Sequence, residues 1–475
     1  MKVLFAASEA APFMKTGGLG DVIGALPKAL AETGVDARVI MPLYSSISHD
    51  LKSQMKYLGS FDVSISWRKS YCGVFTATVG KVTYYFVDNE QYFDRPKAYG
   101  EYDDSERFAF FSKAVLDILN LVNFFPDVIH VNDWQTALLP VYLNAFYRGD
   151  ERYAKIRTVL SIHNIEFQGK YNPIILGSIF GLDVNCRSQL LYDGDINLLK
   201  GGIEAADMVT TVSRTYAQEI MGPEYSFGLH NILAPRSYKL RGVVNGIDTN
   251  TFNPETDEAI YRKYSYDSIR FKSFNKKALQ KEMGLEQSND IPVIGMVTRL
   301  TSQKGIDLLC EVMNEISDLP VQLIALGTGD SHFESFFYSW EQARHDKIRG
   351  YIGFSAQMAQ KIYAGADMFL MPSKAEPCGL SQLIAMRYGT IPIVHSVGGL
   401  HDTVQAFNPE DKTGNGVTFQ SYNAYDMLDA IRRAVDLFHN KPMWRAMRKN
   451  AMSGDYSWEK PAMEYLEIYK EIISK

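Results

Sequence analysis

The sequence predicts an α/β protein built from two doubly wound domains. Short apolar runs rich in β-branched residues recur along the 475-residue chain, and a longer stretch with helical spacing follows each of them. Continuous apolar strands that alternate with helices are typical of parallel sheets covered on both faces. The alternation breaks once, between about residues 245 and 290, where the chain becomes polar and aromatic. This break predicts a boundary between two sheets.

Each half of the chain supplies six predicted strands. Those of the first half are Val3–Ala7, Arg38–Met41, Val82–Val87, Val128–Val131, Thr158–Ile162 and Met208–Val212. Those of the second half are Val293–Val297, Gln322–Leu326, Arg349–Ile352, Met368–Met371, Ile391–Val394 and Val417–Phe419. Apolar residues recur every four positions in 21–32 and again in 424–438, which predicts amphipathic helices there. We therefore expect domains at 1–245 and 246–456, followed by a terminal helix within 457–475.

Charge and cysteine content exclude several classes of protein. The 49 Lys and Arg against 55 Asp and Glu give a net charge of −6, so no overall basic field gathers nucleic acid or anionic membranes. The four cysteines lie far apart and form no Cys-x-x-Cys pair, which fits a reducing compartment. The apolar run near the N-terminus is too short for a signal peptide, and no stretch approaches the length that crosses a bilayer. We expect a cytoplasmic protein without nucleic-acid or membrane partners.

A glycine-rich loop follows the first predicted strand. Lys15-Thr16-Gly17-Gly18-Leu19-Gly20-Asp21 leads directly into a helix, whose unpaired N–H groups favour an anion. Its spacing matches neither the dinucleotide fingerprint nor a P-loop. The loop is therefore either a tight turn between strand and helix or a local phosphate site, to which Lys15 would add a full positive charge.

Two loops of the second half carry charged residues where strands end and helices begin. Arg299 and Lys304 follow strand Val293–Val297, and together they suit a diphosphate whose charge grows as it leaves. A solvated basic loop is the alternative. Glu376 follows strand Met368–Met371 and would hydrogen-bond a sugar hydroxyl or simply cap the next helix. We interpret Cys378 as a small packing residue.

The histidines and carboxylates favour a site without a metal. His130 lies inside an apolar run and is interpreted as a core residue, whereas His163 follows its strand and is the better active-site candidate. The nine histidines form no His-x-x-x-His pair, and the Asp193-Gly194-Asp195 triplet is a pattern that often arises by chance. The residues alone predict a cleft between two domains that binds a sugar diphosphate for glycosyl transfer.

The motifs together resemble the family of bacterial glycogen synthases and plant starch synthases, which are retaining glucosyltransferases of GT-B architecture. The matching segments span almost the whole chain in order. They are 8–12, 15–21, 92–96, 106–111, 132–134, 163–164, 244–248, 298–300 with 303–305, 372–373 with 376–380, 388–392 and 398–404.

The resemblance implies two Rossmann-like domains facing a deep cleft. It further implies transfer of glucose from ADP-glucose to the non-reducing end of an α-1,4-glucan such as glycogen or starch. We expect no cofactor and no metal. The N-terminal domain would carry the acceptor side, the C-terminal domain would bind the donor, and the last helix would pack back on the N-terminal domain.

The resemblance also assigns roles to individual residues. The residues expected to be catalytic are His163, Arg299, Lys304 and Glu376. The residues expected to bind substrate are Lys15, Gly18, Asp21, Asp133, Asn164, Asn245, Phe354, Cys378, Gly379 and Leu380. Phe354 stands where the family usually has a tyrosine that stacks on adenine.

Three departures from the family pattern concern other positions. Ile384 stands where broader retaining GT-B enzymes have a second glutamate, Lys374-Ala375 replaces a more usual Arg-Phe pair, and Asp103-Asp104-Ser105 differs near the acceptor side. A non-catalytic glucan-binding or nucleotide-sugar-sensing protein on the same fold is the alternative function. Glucan phosphorylases are much longer and carry pyridoxal phosphate.

Overall fold

The computed structural model describes residues 1–95 and 97–475, so Pro96 of the 92–96 motif lies outside the described residues. The chain forms two compact units. One comprises Met1–Asn245 together with Trp458–Lys475, and the other comprises Gly246–Ser457.

The described part of the N-terminal unit contains a nine-stranded sheet and a small three-stranded sheet. In chain order the strands are β1 Lys2–Ala6, β2 Asp36–Pro42, β3 Lys56–Ile65, β4 Arg68–Val79, β5 Val82–Asp88, β6 Val128–Asn132, β7 Arg157–Ile162, β8 Lys170–Tyr171, β9 Leu191–Tyr192, β10 Asp195–Asn197, β11 Met208–Thr211 and β12 Leu240–Gly242. The large sheet runs β12-β11-β7-β6-β1-β2-β5-β4-β3, and the small one runs β8-β10-β9. The first seven strands of the large sheet are parallel. Six of them were predicted from the sequence, whereas the edge strand β12 was not, and β4 is antiparallel to both of its neighbours.

The sequence did not predict the β3–β4 hairpin or the small sheet. Residues 56–65 alternate between exposed and partly buried positions, and only Val63 among them is buried. A strand with one solvated face carries no continuous apolar run, so the pattern of buried parallel strands misses it.

Helices of the N-terminal unit cover the large sheet. The α-helices are Gly18–Glu32, His49–Lys52, Glu90–Phe93, Asp104–Leu121, Leu138–Tyr142, Glu151–Ala154, Ile175–Ser178, Arg187–Leu190, Leu198–Ala205, Arg214–Glu219, His230–Leu233 and Glu459–Ile473. Short 3₁₀ or π turns lie at Trp134–Thr136, Leu143–Tyr147, Val184–Cys186 and Ala234–Lys239. The terminal helix Glu459–Ile473 contacts Gly18–Glu32, and its Tyr469 hydroxyl lies 2.7 Å from Nδ1 of His130. His130 is buried, as predicted.

The C-terminal unit has one six-stranded sheet, all of it parallel. Its strands are β13 Val293–Val297, β14 Gln322–Gly327, β15 Ile348–Ile352, β16 Met368–Met371, β17 Ile391–His395 and β18 Val417–Phe419, in the order β15-β14-β13-β16-β17-β18. The α-helices are Lys272–Glu282, Ile306–Asp318, Ser331–Ala343, Ala356–Gly365, Ser381–Arg387, Gly398–Thr403, Ala424–His439 and Lys441–Met452, with 3₁₀ turns at Ile269–Phe271 and Ser302–Lys304.

The core of the C-terminal unit shows why these elements form. Helix Ala424–His439 buries Met427, Ile431 and Val435 against the sheet, the stripe that its four-residue spacing predicted. In the described chain no helix combines the length and the apolar character needed to cross a membrane.

Candidate active site

The carboxyl ends of β13 and β16 open into a cavity of about 170 Å³. Neighbouring parallel strands end at the same edge of a sheet, which is where α/β proteins bind ligands. The lining residues are Met296–Arg299, Lys304, Leu370–Ser373, Glu376 and Gly379–Ser381. The cavity therefore brings together Arg299, Lys304, Glu376, Gly379 and Leu380, which the sequence assigned from two separate loops.

The first loop, residues 298–305, carries the two cations. Arg299 is exposed, and its Nη2 donates to Oε1 of Gln303 at 3.3 Å. Gly305 ends the loop with a φ of 76°, and a Cβ at this position would lie 2.1 Å from the carbonyl oxygen of Pro372. Only glycine allows both this backbone conformation and such a close approach. The close packing of the two loops thus fixes Lys304 beside the second one.

The second loop holds the Glu376 carboxylate in a hydrogen-bonded pair. Oε2 of Glu376 lies 2.6 Å from Nζ of Lys304 and accepts a 2.9 Å hydrogen bond from the Ser373 hydroxyl. The side chains of Lys304 and Glu376 are only 17% and 8% exposed. The following helix has Leu380 at its N-cap and no side-chain cap. The helix-capping alternative for Glu376 is therefore wrong, because its carboxylate binds Lys304 and Ser373 instead.

The rest of this loop turns back toward the helix Ser381–Arg387. Gly379 has a φ of 72°, and the carbonyls of Cys378 and Gly379 accept hydrogen bonds from Nε2 of Gln382 at 3.1 and 2.9 Å. Cys378 is buried and does not line the cavity. Phe354, which follows β15, is 91% exposed and also does not line it.

In the N-terminal unit, the glycine-rich loop is organised by a buried carboxylate. Glu9 accepts hydrogen bonds from the backbone and the hydroxyl of Thr16, from the backbone of Gly17 and from the Tyr99 hydroxyl. The sequence did not predict a role for Glu9 or Tyr99. These two residues are 90 positions apart, and no spacing in the sequence connects them.

The same loop places Lys15 beside Asp21. Nζ of Lys15 lies 2.6 Å from Oδ1 of Asp21, and both side chains are partly exposed. Gly18 starts the helix Gly18–Glu32, whose N-cap Gly17 provides no side-chain acceptor. The first N–H groups of this helix therefore have no side-chain cap and are suited to an anion.

His163 lies at the carboxyl end of β7, close to Asp133 at the end of β6. Its backbone N–H donates to Oδ1 of Asp133 at 2.7 Å, and its Nε2 lies 2.9 Å from Oδ1 of Asn132. The Asn132 amide donates to the carbonyls of Ala6 and His130, so Oδ1 is the acceptor and Nε2 of His163 carries the proton. Burial lowers the pKa of His163 to about 4, so the ring is neutral at pH 7.

Asp133 adopts a left-handed backbone conformation with a φ of 56°. Burial raises the pKa of its carboxyl to about 7, although the backbone N–H groups of His163 and Asn164 partly oppose this shift by hydrogen bonding. The carboxyl is therefore poised to be either neutral or charged near pH 7. Neighbouring groups with shifted pKa values, such as His163 and Asp133, cluster at functional sites.

Two further predicted residues belong to the N-terminal unit, Asn164 directly after His163 and Asn245 at the end of the first segment. Oδ1 of Asn164 accepts a hydrogen bond from the backbone of Glu166 at 3.0 Å. Asn245 is the last residue of the first segment, and its buried Oδ1 has no hydrogen-bond partner among the described residues.

The Asp193-Gly194-Asp195 triplet forms part of the β9–β10 hairpin. Asp193 and Gly194 have positive φ angles of 51° and 85°, as a two-residue type I′ turn requires. Over the described ranges, no three His, Cys, Asp or Glu side chains are grouped in a way that could hold a metal ion.

Comparison with known proteins gives this architecture a class. Residues 2–235 match the family model described as the starch synthase catalytic domain, and residues 280–453 match glycosyl transferases group 1. A sucrose-phosphate synthase from Thermosynechococcus elongatus has the same fold, with a TM-score of 0.64 at 16% identity over 100% of this chain and 99% of that one. Two α/β units with these loops define an enzyme of the GT-B glycosyltransferase class.

Relatives over the full length define the family. A glycogen synthase from Clostridium beijerinckii is 49% identical over 99% of both chains, and one from Ligilactobacillus salivarius is 48% identical over 100% of both. The catalytic domain of starch synthase IV from Arabidopsis thaliana, solved with ADP and acarbose bound, superimposes with a TM-score of 0.92 at 34% identity, over 100% of this chain and 99% of that one. The chain belongs to the glycogen synthase family.

Proposed function

We propose that this enzyme transfers glucose from ADP-glucose to the non-reducing end of an α-1,4-glucan, with retention of configuration. The observation that carries the proposal is the cavity in which Arg299, Lys304 and Glu376 meet at the carboxyl edge of the second sheet. Two cations and one carboxylate match a donor with an anionic diphosphate and a sugar rich in hydroxyls.

In this proposal the C-terminal unit binds the donor. Arg299 and Lys304 neutralise the diphosphate, and Glu376 hydrogen-bonds the glucose together with the backbone of Cys378, Gly379 and Leu380. An ammonium group has three donors, so Lys304 can keep its bond to Glu376 while it contacts a phosphate oxygen. The exposed ring of Phe354 stacks on the adenine.

The N-terminal unit supplies groups for the sugar and the acceptor. Lys15 contacts ADP-glucose, the backbone at Gly18 approaches the diphosphate, and Asp21 lies near the sugar. His163 stands beside the anomeric carbon and orients the donor glucose. Asp133, Asn164 and Asn245 are assigned to substrate binding. The orphaned Oδ1 of Asn245 supports its assignment, because a buried acceptor without a partner is suited to a ligand donor.

For the chemical step we propose front-face attack by the acceptor hydroxyl as ADP departs. Arg299, Lys304 and the first N–H groups of the helix Gly18–Glu32 stabilise the charge that develops on the leaving diphosphate. A covalent intermediate on Glu376 is the weaker alternative. Its carboxylate is held by Lys304 and Ser373, which lowers its availability as a nucleophile.

We further propose that catalysis proceeds without a metal or cofactor, because Arg299 and Lys304 provide the positive charge that a metal would otherwise bring to the diphosphate. We propose the cytoplasm as the compartment, since the cysteines are scattered along the sequence, as in proteins of reducing compartments.

The proposal is tested by incubating the purified protein with glycogen and either ADP-glucose or UDP-glucose and measuring release of the nucleoside diphosphate. We expect ADP release that depends on glycogen, with α-1,4-linked glucose added to the non-reducing ends. Binding of ADP-glucose and glycogen without any release would instead establish the non-catalytic alternative. Preferred release of UDP would contradict the assignment of the donor.

A further inference from the structure

The strand β17 ends at His395, a buried histidine whose two ring nitrogens both face backbone carbonyls. Nδ1 lies 2.8 Å from the carbonyl oxygen of Ser373, and Nε2 lies 3.2 Å from that of Gln420. The side chain is 4% exposed. Carbonyl oxygens only accept hydrogen bonds, and a neutral imidazole carries a single N–H, so the ring donates to one of the two carbonyls. We assign the proton to Nδ1, because its contact with the Ser373 carbonyl is the shorter one.

Ser373 connects this hydrogen bond to the proposed donor site. Its hydroxyl donates to Oε2 of Glu376 at 2.9 Å, and it lines the cavity. The carbonyl and the hydroxyl of one residue thus face two partners, His395 on one side and Glu376 on the other. A shift of the Ser373 backbone would move the hydroxyl that holds the carboxylate.

The surroundings of the ring keep it in place. It stacks on Phe419 with ring centroids 5.3 Å apart, and Tyr422 lies 5.7 Å away. The Tyr422 hydroxyl lies 2.9 Å from the carbonyl oxygen of Ser302 and 2.6 Å from Oδ1 of Asp307, within hydrogen-bond distance of both acceptors. Ser302 belongs to the loop that carries Arg299 and Lys304, so this aromatic cluster supports both loops of the cavity.

We propose that His395 is a positioning residue of the donor site, which acts through its hydrogen bond to Ser373 to place the Glu376 carboxylate. This inference rests on the proposed function, because it assumes that the cavity holds the glucosyl donor. His395 itself is not among the residues lining the cavity, so its effect reaches the donor only through Ser373. A displacement of about 1 Å at such a site costs as much as 10²-fold in rate.

Two substitutions separate the contacts of the two ring nitrogens. The amide nitrogen of asparagine reaches the position of Nδ1, so His395→Asn keeps a donor for the Ser373 carbonyl. The amide nitrogen of glutamine reaches the position of Nε2, so His395→Gln has a donor only toward Gln420 and none for the Ser373 carbonyl. Steady-state kinetics of ADP release are measured for both variants, with ADP-glucose varied at saturating glycogen and then glycogen varied at saturating ADP-glucose.

We expect His395→Asn to retain kcat/KM for ADP-glucose within about threefold, and His395→Gln to lose roughly 10- to 100-fold. The KM for glycogen stays unchanged in both. His439→Gln, at an exposed helix end, is the matched control and keeps wild-type kinetics. Thermal unfolding and circular dichroism confirm that each variant is folded.

Equal kinetic losses in the Asn and Gln variants, or no loss in either, would overturn the inference, because a ring that only fills space does not distinguish the two nitrogens. A loss confined to the KM for glycogen would also overturn it. If the wild-type protein itself releases no ADP from ADP-glucose, the proposed function fails. This outcome is distinguishable from failure of the His395 inference, which is seen only when the wild type is active.

Discussion

Replacing Lys304 by alanine removes the ammonium that the proposed mechanism places against the departing diphosphate. In the structure Nζ lies 2.6 Å from Oε2 of Glu376, and the direct attraction at that distance is about 6 kcal/mol at an effective dielectric constant of about 20. A phosphate oxygen bound at similar range gains an attraction of the same order. Water that enters the space left by the side chain restores part of this attraction, so the net loss of stabilising energy is smaller. Removing one preorganised electrostatic contact costs about 10²–10³ in rate, or about 3–4 kcal/mol.

The assay is ADP release from saturating ADP-glucose and glycogen, and we expect kcat of Lys304→Ala to fall by about 10²–10³. Lys361→Ala is the matched control. Lys361 is 15% exposed and pairs with Glu282 at 2.9 Å, but it does not line the cavity. Its variant loses a comparable ion pair and keeps wild-type kcat. A Lys304→Ala enzyme with kcat within twofold of the wild type, while folded, would refute the role of this lysine at the diphosphate.

Three further predictions concern the histidine, the metal and the loop contact. His163→Ala should lose turnover to an extent comparable with Lys304→Ala. The pKa of His163 in the folded protein is about 4, below its ordinary value of 6.5, so the unfolded chain binds more protons than the folded one between these pH values. The free energy of unfolding therefore falls as the pH drops from 6.5 toward 4. His163→Gln should flatten this pH dependence in denaturant titrations. Dialysis against EDTA should leave the rate of ADP release unchanged, and strict dependence on Mg²⁺ would contradict this. Gly305→Ala should reduce both activity and melting temperature, because its Cβ would meet the Pro372 carbonyl. The control is Gly80→Ala, at a similar φ of 59° in open space, which should cost only about 1 kcal/mol of stability and leave activity intact. Equal effects of the two substitutions would exclude the loop contact as the cause.

The parts of the fold that the sequence predicted are those with one dominant physical signal. The bounds of β13 and β16 agree with their apolar runs residue for residue, because a strand buried on both faces needs an unbroken apolar segment. The hairpin β3–β4 lacked this signal, since its residues are mostly exposed or half-exposed and its first strand alternates in polarity. Its length and antiparallel direction depend on pairing with β5, which no local pattern encodes.

The same distinction applies to the candidate site, where the sequence predicted some residues and missed others. Arg299, Lys304 and Glu376 were predictable because each follows a parallel strand, and the topology of the sheet brings the ends of β13 and β16 together. Residues whose contact partners lie far away in the sequence were not predictable. Glu9 meets Tyr99 across 90 positions, and His395 meets the Ser373 carbonyl across 22. Nothing in the composition or spacing of either segment marks these partners.

A crystal structure of the protein with ADP bound tests the proposed donor site most directly. We expect the diphosphate to lie in the cavity at the ends of β13 and β16, with phosphate oxygens within hydrogen-bond distance of Arg299 and Lys304. ADP bound elsewhere, with neither side chain in contact with a phosphate, would contradict this expectation.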